Sequence, residues 1–497
     1  MEILGSSFIY FQQPLRLCST MNNIVTEEDC VQLLKRYIKN DNFELINFKT
    51  KPYFSKGTEF FEIGFVLEIN AKVQKNIKKF RFFIKKCPDR DTPEYELLKS
   101  SESFSKETFF FARHLPNILS VLPECRPDFA PQFLLEKSEG ALIFEDLSVK
   151  YYVRAKRTYP IFLDRVHLSV ALKTLAQFHA SSIAYEEKAP SKDEYIGFAK
   201  NQGDAYSRWF EASIKGIKAL FRNNPHYQNE IDILNSKFET YLQSIKNIMK
   251  PQSKFYNILC HGNLHTKNIL FKYDGNTPVH CVLVGFQSVM YFLPAYDVLS
   301  MIFLTTHQLF RQHYFTYLLR FYYDRLTEEL DKFGVSVEKI FNFEQFLQSV
   351  DFVLPLVKLE AALYFLENAG SNEYYYKLKQ KSDDYRQYLF EDKSKISLDL
   401  YKNEPNFRII MAELLEELYE ILFCPEVSKE KCYGLLEKEL NTTIYDFHSF
   451  KVEKDKDQND IFNLVLNVQS DEQTREYVYK IRLKTTGEIE ILHNCNE

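Results

Sequence analysis

The residues with the clearest chemical potential lie in two short stretches, 261–268 with the sequence HGNLHTKN and 285–287 with the sequence GFQ. Their spacing is typical of a phosphoryl-transfer site, where one loop carries a base and an amide ligand and another carries a metal-binding carboxylate. Asn263 stands at the position of the base, and Gly285 at that of the carboxylate. Neither residue is acidic, so the sequence leaves open whether this site transfers phosphate or only keeps the scaffold.

The two substitutions act in the same direction. Asn263 accepts a hydrogen bond through its amide oxygen but takes no proton at physiological pH, and losing a positioned base lowers a rate about 10²–10⁴-fold. Gly285 would leave Mg²⁺, which prefers hard oxygen ligands, with Asn268 and a nucleotide. His265 has a suitable intrinsic pKa for a replacement base, but its offset of two residues from Asn263 argues against its reaching the same place.

The elements that position these stretches follow from the spacing of apolar residues. Thr26 with Asp29 three residues later predicts a capped helix start. Alternation predicts strands, and helical spacing predicts one helix that ends at Pro116 and a helical region from about Leu163 to about Phe423. The predicted ranges are 61–69, 80–85, 133–136 and 141–144 for strands and 95–115, 166–185, 205–221 and 231–249 for helices.

A β-rich segment followed by a larger helical one predicts an α+β fold with a small N-lobe and a large C-lobe. We expect a disordered leader at 1–22, the β-rich N-lobe at 23–147, the helical C-lobe at 148–425 and a C-terminal α/β appendage at 426–497. The two chemical stretches fall inside the helical lobe.

The C-terminal appendage resembles the N-terminal region. Several matches in the same order predict a partial second copy of the N-lobe, although two segments with one apolar period also resemble each other by chance. The matched pairs are 432–436 with 30–34, 450–451 with 48–49, 465–468 with 66–69, and 483–484 with 84–85.

Composition excludes several classes of protein. A net charge of −5 provides no basic field for nucleic acid. Nine cysteines without a Cys-x-x-Cys pair indicate reduced thiols and a cytoplasmic location. The apolar run at 282–304 is interrupted by Gln287, Pro294 and Asp297, which predicts a buried strand and helix and no membrane span.

Several motifs, taken in order, resemble the ecdysteroid-kinase-like (CHK kinase-like) family of insects, in the choline-kinase and aminoglycoside-phosphotransferase branch of the protein-kinase-like fold. That family's pattern has His-Gly-Asp, an Asn five residues after the Asp, then Asp-Phe-Gln and a later Asp. The resemblance covers about residues 23 to 423, and it implies a bilobal kinase-like fold with ATP and Mg²⁺ as cofactors. The matching stretches are 83–88 (FIKKCP), 106–107 (KE), 144–147 (FEDL), 175–180 (LAQFHA), 260–271, 285–287 and Asp297.

The resemblance also implies roles for single residues. Lys85 corresponds to the lysine that contacts nucleotide phosphates, and Glu107 to its ion-pair partner. Glu145 and Leu147 correspond to the hinge whose backbone contacts adenine. Simpler alternatives are a strand-end lysine at 85 and a plain turn at 145–147. Asn268 corresponds to the second metal ligand.

Further residues belong to the implied catalytic region and to the loop that would cover the phosphates. Asp297 corresponds to a residue that orders the catalytic loop. His261 belongs to the catalytic motif, but His261 and His179 are better explained as structural histidines than as acid–base groups. A carboxylate at Glu62, in the loop that would cover the phosphates, would repel them.

Three functions remain open at this point. The first is a kinase-like protein that has lost catalysis, motivated by Asn263, Gly285 and Glu62 together. Such a protein would bind a small hydrophobic molecule or a protein partner, or have no remaining biochemical role. The second is an active ATP-dependent kinase of steroid-like or xenobiotic alcohols, motivated by Lys85, Glu107 and Asn268. In the third, the C-terminal copy is an interaction module or a relic of duplication.

Overall fold

The computed structural model of the protein describes eleven segments of the chain. The predicted leader at 1–22, the phosphate-loop residue Glu62 and residues 426–443 at the start of the predicted appendage lie outside them. Its described residues are 24–53, 63–120, 128–137, 140–155, 162–188, 203–250, 252–423, and, as backbone strands, 444–454, 460–470, 473–483 and 489–494.

The chain divides into two compact units. The first consists of Met1–Pro88 and Gln132–Val149, and the second of Asp89–Pro131 and Lys150–Glu497. The β-rich part followed by a mostly helical part confirms the predicted α+β class. The four domain ranges drawn from the sequence stay a prediction.

The first unit is a sheet covered by one helix, α1 (Glu27–Ile38). Thr26 and Asp29 form the predicted capping box, because each side chain bonds the backbone N–H of the other. The core between helix and sheet contains Leu33 and Leu34 of the helix and Leu67 and Ile84 of the sheet. The sheet has the order β1-β2-β3-β5-β4, with strands β1 (Phe43–Pro52), β2 (Ile63–Val73), β3 (Asn76–Lys86), β4 (Phe133–Lys137) and β5 (Ala141–Glu145).

The single helix expected at 95–115 is wrong in its continuity and in its end. The helix is interrupted at Glu102, whose φ of 54° lies in the left-handed region. Helical structure then continues through Pro116 to Ser120. A π-helical turn, Phe110–His114, precedes the proline, and Pro116 is the second residue of the α-helix that follows, where a missing N–H is tolerated. The segments are α2 (Pro93–Ser100), α3 (Ser103–Phe109) and α4 (Leu115–Ser120).

From Arg165 to Phe423, the described residues of the second unit form helices, short 3₁₀ turns and two pairs of antiparallel strands. Long helices appear where the apolar spacing predicted them, and no described helix is long and apolar enough to cross a membrane. The helices are α5 (Arg165–Lys188), α6 (Asp204–Asn223), α7 (Ile231–Ile248), α8 (Pro294–Thr305), α9 (Gln308–Asp331), α10 (Phe343–Asn368), α11 (Asn372–Lys379), α12 (Ser382–Phe390), α13 (Ser394–Asn403) and α14 (Pro405–Phe423). The paired strands are β6 (Ile258–Cys260) with β9 (Met290–Phe292), and β7 (Ile269–Asp274) with β8 (Thr277–Leu283).

The last four strands form an antiparallel sheet in sequence order. They are β10 (Ile444–Lys454), β11 (Asp460–Ser470), β12 (Gln473–Leu483) and β13 (Ile489–Asn494). Ser470 pairs with Gln473 across the β11–β12 turn, as Val73 pairs with Asn76 between β2 and β3. These two hairpins therefore have the same strand lengths and the same register.

Candidate catalytic loop

The loop that follows β6 is fixed by one buried carboxylate, that of Asp297 in the first turn of α8. Asp297 Oδ2 accepts the backbone N–H of His261 at 2.6 Å, and Oδ1 accepts that of Gly262 at 2.9 Å. Asp297 has no exposed surface, so these bonds satisfy a charge that would otherwise be costly to bury. The predicted role of Asp297 in ordering the loop is consistent with this geometry.

His179 supports the same carboxylate from α5. Its Nε2 lies 3.1 Å from Asp297 Oδ2, and its Nδ1 lies 2.6 Å from the hydroxyl of Tyr322. Burial, the largest cause, raises the pKa of Tyr322 well above its usual value. The tyrosine therefore stays protonated, and its hydroxyl donates a hydrogen bond to Nδ1. The ring N–H is then on Nε2, where it donates to Asp297. His179 is thereby a structural histidine.

His261 is also held by the backbone on both sides of its ring. Its Nε2 lies 3.0 Å from the carbonyl oxygen of Val284, and its Nδ1 accepts the N–H of Asn263 at 3.3 Å. A carbonyl oxygen can only accept, so the ring proton is on Nε2 and the imidazole is neutral. His261 ties the stretch 261–263 to the strand that leads into Gly285, and this geometry provides no acid–base role.

Gly262 is required by space as well as by conformation. Its φ is 77°, and a Cβ at this position would overlap the carbonyl oxygen of Ser288. The close approach of the two backbones brings the 261–268 loop against the 285–288 turn. Since the obstacle is backbone, it cannot yield as a flexible side chain would.

Asn263, Asn268 and Gly285 come together as the motif spacing predicted. Asn268 is 1% exposed, and its Nδ2 donates to the carbonyl oxygen of Asn263 at 2.9 Å. Gly285 has a φ of 78°, and a Cβ added there would lie 2.7 Å from Asn268 Oδ1 and 2.9 Å from Asn268 Cγ. The amide of Asn268 therefore occupies the space in which a side chain at 285 would begin.

His265 does not replace the missing base. Its ring stacks on Tyr364 with centroids 5.0 Å apart, and its Nδ1 accepts the backbone N–H of Lys267 at 3.2 Å. Burial, followed by neighbouring positive charge that includes Lys267 and Arg154, lowers the pKa of His265 well below its usual value. A buried imidazole with so low a proton affinity caps the turn at 266–268 and is a poor proton acceptor.

Phe286 links the Gly285 turn to the helices. Its ring stacks on Phe110 with centroids 4.3 Å apart, meets Phe111 edge to face at 5.4 Å, and lies 4.4 Å from the ring of His261. The backbone N–H of Phe286 donates to Glu107 Oε1 at 3.1 Å. Glu107, predicted as the partner of Lys85, thus also fixes the position of the Gly285–Phe286 peptide.

The other three predicted site residues belong to the first unit. Lys85 is 7% exposed and lies on β3 opposite Gly64 and Leu142. Glu145 ends β5, where its N–H donates to the carbonyl oxygen of Gln132 at 3.0 Å and its Oε1 accepts the N–H of Gln132 at 2.9 Å. The Glu145 N–H is therefore already used within the sheet.

Leu147, the second predicted hinge residue, is buried at the start of a 3₁₀ turn, Leu147–Lys150. Asp146 orders this turn by accepting both the backbone N–H and the hydroxyl of Ser148, at 3.0 and 2.6 Å. Arg81 Nε lies 3.0 Å from the other carboxylate oxygen of Asp146. The segment is thus a side-chain-stabilised turn, and its role as an adenine-binding hinge stays a prediction.

Among the residues that the structure describes, two groups are candidates for a metal site. His179, Cys260 and Asp297 have ligand atoms within 4.8 Å of one another. However, burial, followed by the charge of Asp297, raises the pKa of the Cys260 thiol well above its usual value. Its Sγ lies 3.5 and 3.4 Å from the carbonyl oxygens of Phe292 and Leu293. This group is satisfied by hydrogen bonds without an ion.

The second group, Asn263, Asn268 and Gly285, is the one at which the resemblance places Mg²⁺. It offers amide oxygens and no carboxylate, and the Asn268 amide is turned into the space beside Gly285. Mg²⁺ favours carboxylate and phosphate oxygens in near-octahedral geometry. The residues present do not fit this ion.

Comparisons with known proteins agree with the motif order. The sequence model of the ecdysteroid kinase-like family matches residues 58–335. The chain belongs to that family. No curated protein matches the ecdysteroid kinase-like chain at a significant level.

Among solved structures, the ecdysteroid kinase-like chain is similar to the GDP and kanamycin complex of APH(2")-IIia, with 10% identity, a TM-score of 0.34, and coverage of 76% of this chain and 98% of that chain. The GDP complex of wild-type aminoglycoside 2'-phosphotransferase-IIIa has 12% identity and a TM-score of 0.34, with the same coverage of both chains.

Several residues that shape this ecdysteroid kinase-like site were not singled out from the sequence. Tyr364 stacks on His265 of the loop, and Tyr322 bonds to His179. Phe110 and Phe111 pack against Phe286. A chain with 32 tyrosines and 44 phenylalanines gives each of them no distinguishing signal. Their common feature is tertiary contact, which no local spacing encodes.

Proposed function

We propose that this ecdysteroid kinase-like protein is a pseudokinase that does not transfer phosphate at a useful rate. The observation that supports the proposal most directly is the packing of the Asn268 amide against Gly285, where a Cβ would lie 2.7 Å from Asn268 Oδ1. A single lost carboxylate leaves a gap that solvent and metal can enter. Here the remaining metal-ligand candidate fills that space instead.

The missing base supports the same conclusion. Asn263 has no group that accepts a proton, and the nearby His261 and His265 are neutral rings held by backbone or stacking contacts. Loss of a general base costs about 10²–10⁴-fold in rate. The loss of metal coordination adds to this, because charge neutralisation provides most of the catalysis of phosphoryl transfer.

The test is ATP turnover by the full chain with Mg²⁺ or Mn²⁺, measured beside Lys85→Ala. We expect the two proteins to show the same background with either metal. Metal-dependent turnover in the wild-type chain that Lys85→Ala abolishes would sink the proposal. A scaffold control is the double change Asn263→Asp with Gly285→Asp, which restores both carboxylates and separates their loss from other defects.

A second candidate is an active kinase of small steroid-like or xenobiotic alcohols. Buried Lys85 and Glu107 and the presence of Asn268 favour it. Its minimum requirement is binding of Mg²⁺–ATP. If saturating nucleotide with Mg²⁺ causes no thermal shift, this candidate is removed.

Location and ligand are further proposals. Among the described residues, Cys30, Cys260 and Cys281 are free thiols, which supports the predicted reducing, cytoplasmic environment. The small hydrophobic ligand expected from the sequence stays a prediction, and so does the absence of a nucleic-acid partner.

A further inference from the structure

The hairpin of β2 and β3 carries a charge opposite to that of the chain as a whole. Residues 70–86 contain seven basic side chains and no acidic one, whereas the whole chain has a net charge of −5. Four exposed lysines lie at or beside the turn that joins the two strands: Lys72, Lys75, Lys78 and Lys79. Because salt screens charges over about 8–10 Å, a partner close to this turn responds to the lysines and not to the net charge.

Ile77 is the second unusual feature of the hairpin tip, residues 72–79. It is 71% exposed, the largest value for any large aliphatic side chain in the part of the chain that the structure describes. It lies directly opposite Lys72 across the two strands, and Lys79 follows two residues later on the same face. One end of the sheet therefore presents an aliphatic group between lysines.

Few carboxylates oppose this charge. Glu44 lies opposite Lys72 in the register of β1 and β2, and Lys72, Lys75 and Lys78 form no ion pair with any described residue. The carboxylate of Glu68 is shared by three lysines of one face of the sheet, at N–O distances of 3.1 to 3.4 Å: Lys79, Lys49 and Lys51. The tip therefore keeps an excess of positive charge.

Protection of a free strand edge explains only part of this pattern. Strand β5 pairs with Phe82–Lys86 of β3, and no described strand pairs with residues 76–81 on that side. Lysines on such an edge discourage pairing with another chain, which accounts for Lys78 and Lys79. An exposed isoleucine between lysines works against that protection, and Lys75 lies in the turn and not on the edge.

Two other hairpins show that a tight turn does not require this charge. The β11–β12 hairpin has the same register, but its turn sequence is Asp471-Glu472. The β7–β8 hairpin is also closed by a two-residue turn, and it combines one lysine, Lys272, with one aspartate, Asp274, and the exposed Val279. The lysines of the β2–β3 tip are therefore not a consequence of hairpin structure.

We propose that the tip of the β2–β3 hairpin binds the surface of a membrane that contains anionic lipids. The lysines contact the head groups, and Ile77 is buried at the boundary with the acyl chains. Each lysine near such a surface strengthens binding about fivefold, and a buried aliphatic group adds to this. The inference does not rest on the proposed loss of catalysis, because the tip lies at the opposite end of β3 from Lys85.

Other anionic partners fit the tip less well. Residues 72–79 include no aromatic side chain on which a nucleic-acid base could stack. An acidic peptide would add to the free edge of β3, and this would leave Lys72 and Lys75 unused. A lipid surface is the partner that uses the turn, the lysines and the isoleucine together.

The experiment is co-sedimentation of the full chain with vesicles of phosphatidylcholine alone and of phosphatidylcholine mixed with phosphatidylserine. We expect binding to the mixed vesicles only, and loss of this binding as salt is raised. Lys75→Gln and Lys78→Gln should each weaken it about fivefold. Ile77→Thr keeps a β-branched residue in the strand but removes apolar surface, and it should weaken binding about threefold.

Matched controls come from the β7–β8 hairpin and from β1. Lys272→Gln and Val279→Thr make the same changes on the β7–β8 hairpin and should leave vesicle binding within about twofold. Glu44→Gln removes the carboxylate opposite Lys72 and should strengthen binding, up to about fivefold. A thermal melt of each variant verifies that it is folded.

The outcomes separate a membrane from other anionic partners. Absence of binding to the mixed vesicles overturns the proposal, and so does equal weakening by Lys75→Gln and Lys272→Gln. Heparin and polyglutamate are titrated as soluble polyanions: weakening of vesicle binding by Ile77→Thr without weakening of polyanion binding supports the membrane. If Ile77→Thr changes vesicle binding no more than Val279→Thr does, the tip is a general polyanion site and the proposal is overturned. The pseudokinase proposal stands in each case, because none of these results concerns ATP turnover.

Discussion

The two sides of the 261–268 loop differ in how closely their residues follow the family pattern. On the side that faces α8, Asp297 receives two backbone N–H groups and a histidine, and Gly262 fits against Ser288. On the side that would face substrate, Asn263 and Gly285 replace the acidic residues of the family pattern. The difference shows that the fold of this loop depends on groups separate from those that perform the chemistry.

A physical reason explains this separation. Asp297 has no exposed surface, so its removal would leave buried donors without an acceptor, at a large cost in stability. A catalytic carboxylate makes few contacts in the resting protein and repels neighbouring negative charge. Its loss therefore costs little in stability, and the scaffold can outlast the activity. The comparison predicts a graded series of effects.

The largest effect is expected for Asp297→Ala. The backbone N–H groups of His261 and Gly262 and the ring of His179 would lose their shared acceptor in a buried site. We expect a loss of about 3–5 kcal/mol in the free energy of unfolding. Denaturant unfolding followed by the fluorescence of Trp209, the single tryptophan, measures it in the helical unit.

Asp274→Ala is the matched control, because Asp274 is exposed at the β7–β8 turn. It should change the free energy of unfolding by less than about 0.5 kcal/mol. Equal effects of Asp297→Ala and Asp274→Ala would show that the loop is not anchored in this way.

Gly262→Ala should have the next largest effect. The new Cβ would overlap the Ser288 carbonyl oxygen, and the left-handed φ of 77° adds strain. We expect a cost of about 2–3 kcal/mol, measured by the same unfolding experiment. Gly275→Ala is the control, because Gly275 also has a positive φ, 57°, but nothing within 4 Å of its Cβ. It should cost only about 1 kcal/mol, and a Gly262→Ala protein no less stable than that would contradict the close approach.

A smaller cost, about 1–2 kcal/mol, is expected for Gly285→Asp. The Asn268 amide must rotate away from the new Cβ, and this breaks its bond to the Asn263 carbonyl oxygen. Aspartate tolerates a left-handed φ better than most residues, so the amide is the main obstacle. Adding Asn268→Ser should restore part of the lost stability. No recovery in the double variant would show that the strain arises elsewhere.

The first unit and the helical segment 93–120 show how far the sequence predicted the fold. The Thr26–Asp29 cap and the strands predicted at 80–85, 133–136 and 141–144 carry local signals and are confirmed, as is the described part of the strand predicted at 61–69. The edge strand β1 (Phe43–Pro52) was not predicted. The break at Glu102 and the passage of a helix through Pro116 carry no local signal, because a non-glycine residue with positive φ and a π-helical turn are imposed by packing. Local propensity therefore predicted that residues 95–115 are helical, but it did not predict where the individual helices begin and end.

Within the site, the motif spacing predicted that Asn263, Asn268 and Gly285 lie close together. It could not predict that the Asn268 amide turns towards Gly285, because the spacing fixes backbone positions and leaves side-chain rotation to the neighbours. Likewise, Glu107 was identified by order in the chain, whereas its bond to the Phe286 N–H is a tertiary contact.

The proposed C-terminal repeat stays a prediction, but the strand registers refine how it would align. The bulge of β1 between Leu45 and Asn47 has a counterpart in β10 between Ile444 and Asp446. Counted back from the two equivalent turns, Leu67 corresponds to Leu464. The sequence match had instead aligned Leu67 with Leu466, because alternating apolar residues allow a slip of two positions.

A further correspondence lies at the fourth strand. Strand β13 pairs with Tyr479–Leu483 of β12, as β5 pairs with Phe82–Lys86 of β3. Between β3 and β5 the chain passes through α2, α3, α4 and β4, whereas only residues 484–488 connect β12 and β13. Alternation of apolar residues predicts a strand, but it does not predict the strands with which that strand pairs.

The smallest effect is expected for Asn263→Asp, which tests whether chemistry and scaffold are separable. The bonds that hold residue 263 run through its backbone N–H and carbonyl oxygen, to His261 Nδ1 and from Asn268 Nδ2, and they survive the change. The free energy of unfolding should therefore change by less than about 0.5 kcal/mol. ATP turnover should also stay at background, because a restored base has no metal-bound phosphate to act upon while Gly285 lacks a carboxylate. Turnover with Mg²⁺ in Asn263→Asp alone, absent in Asn263→Ala, would show that the base was the only missing part.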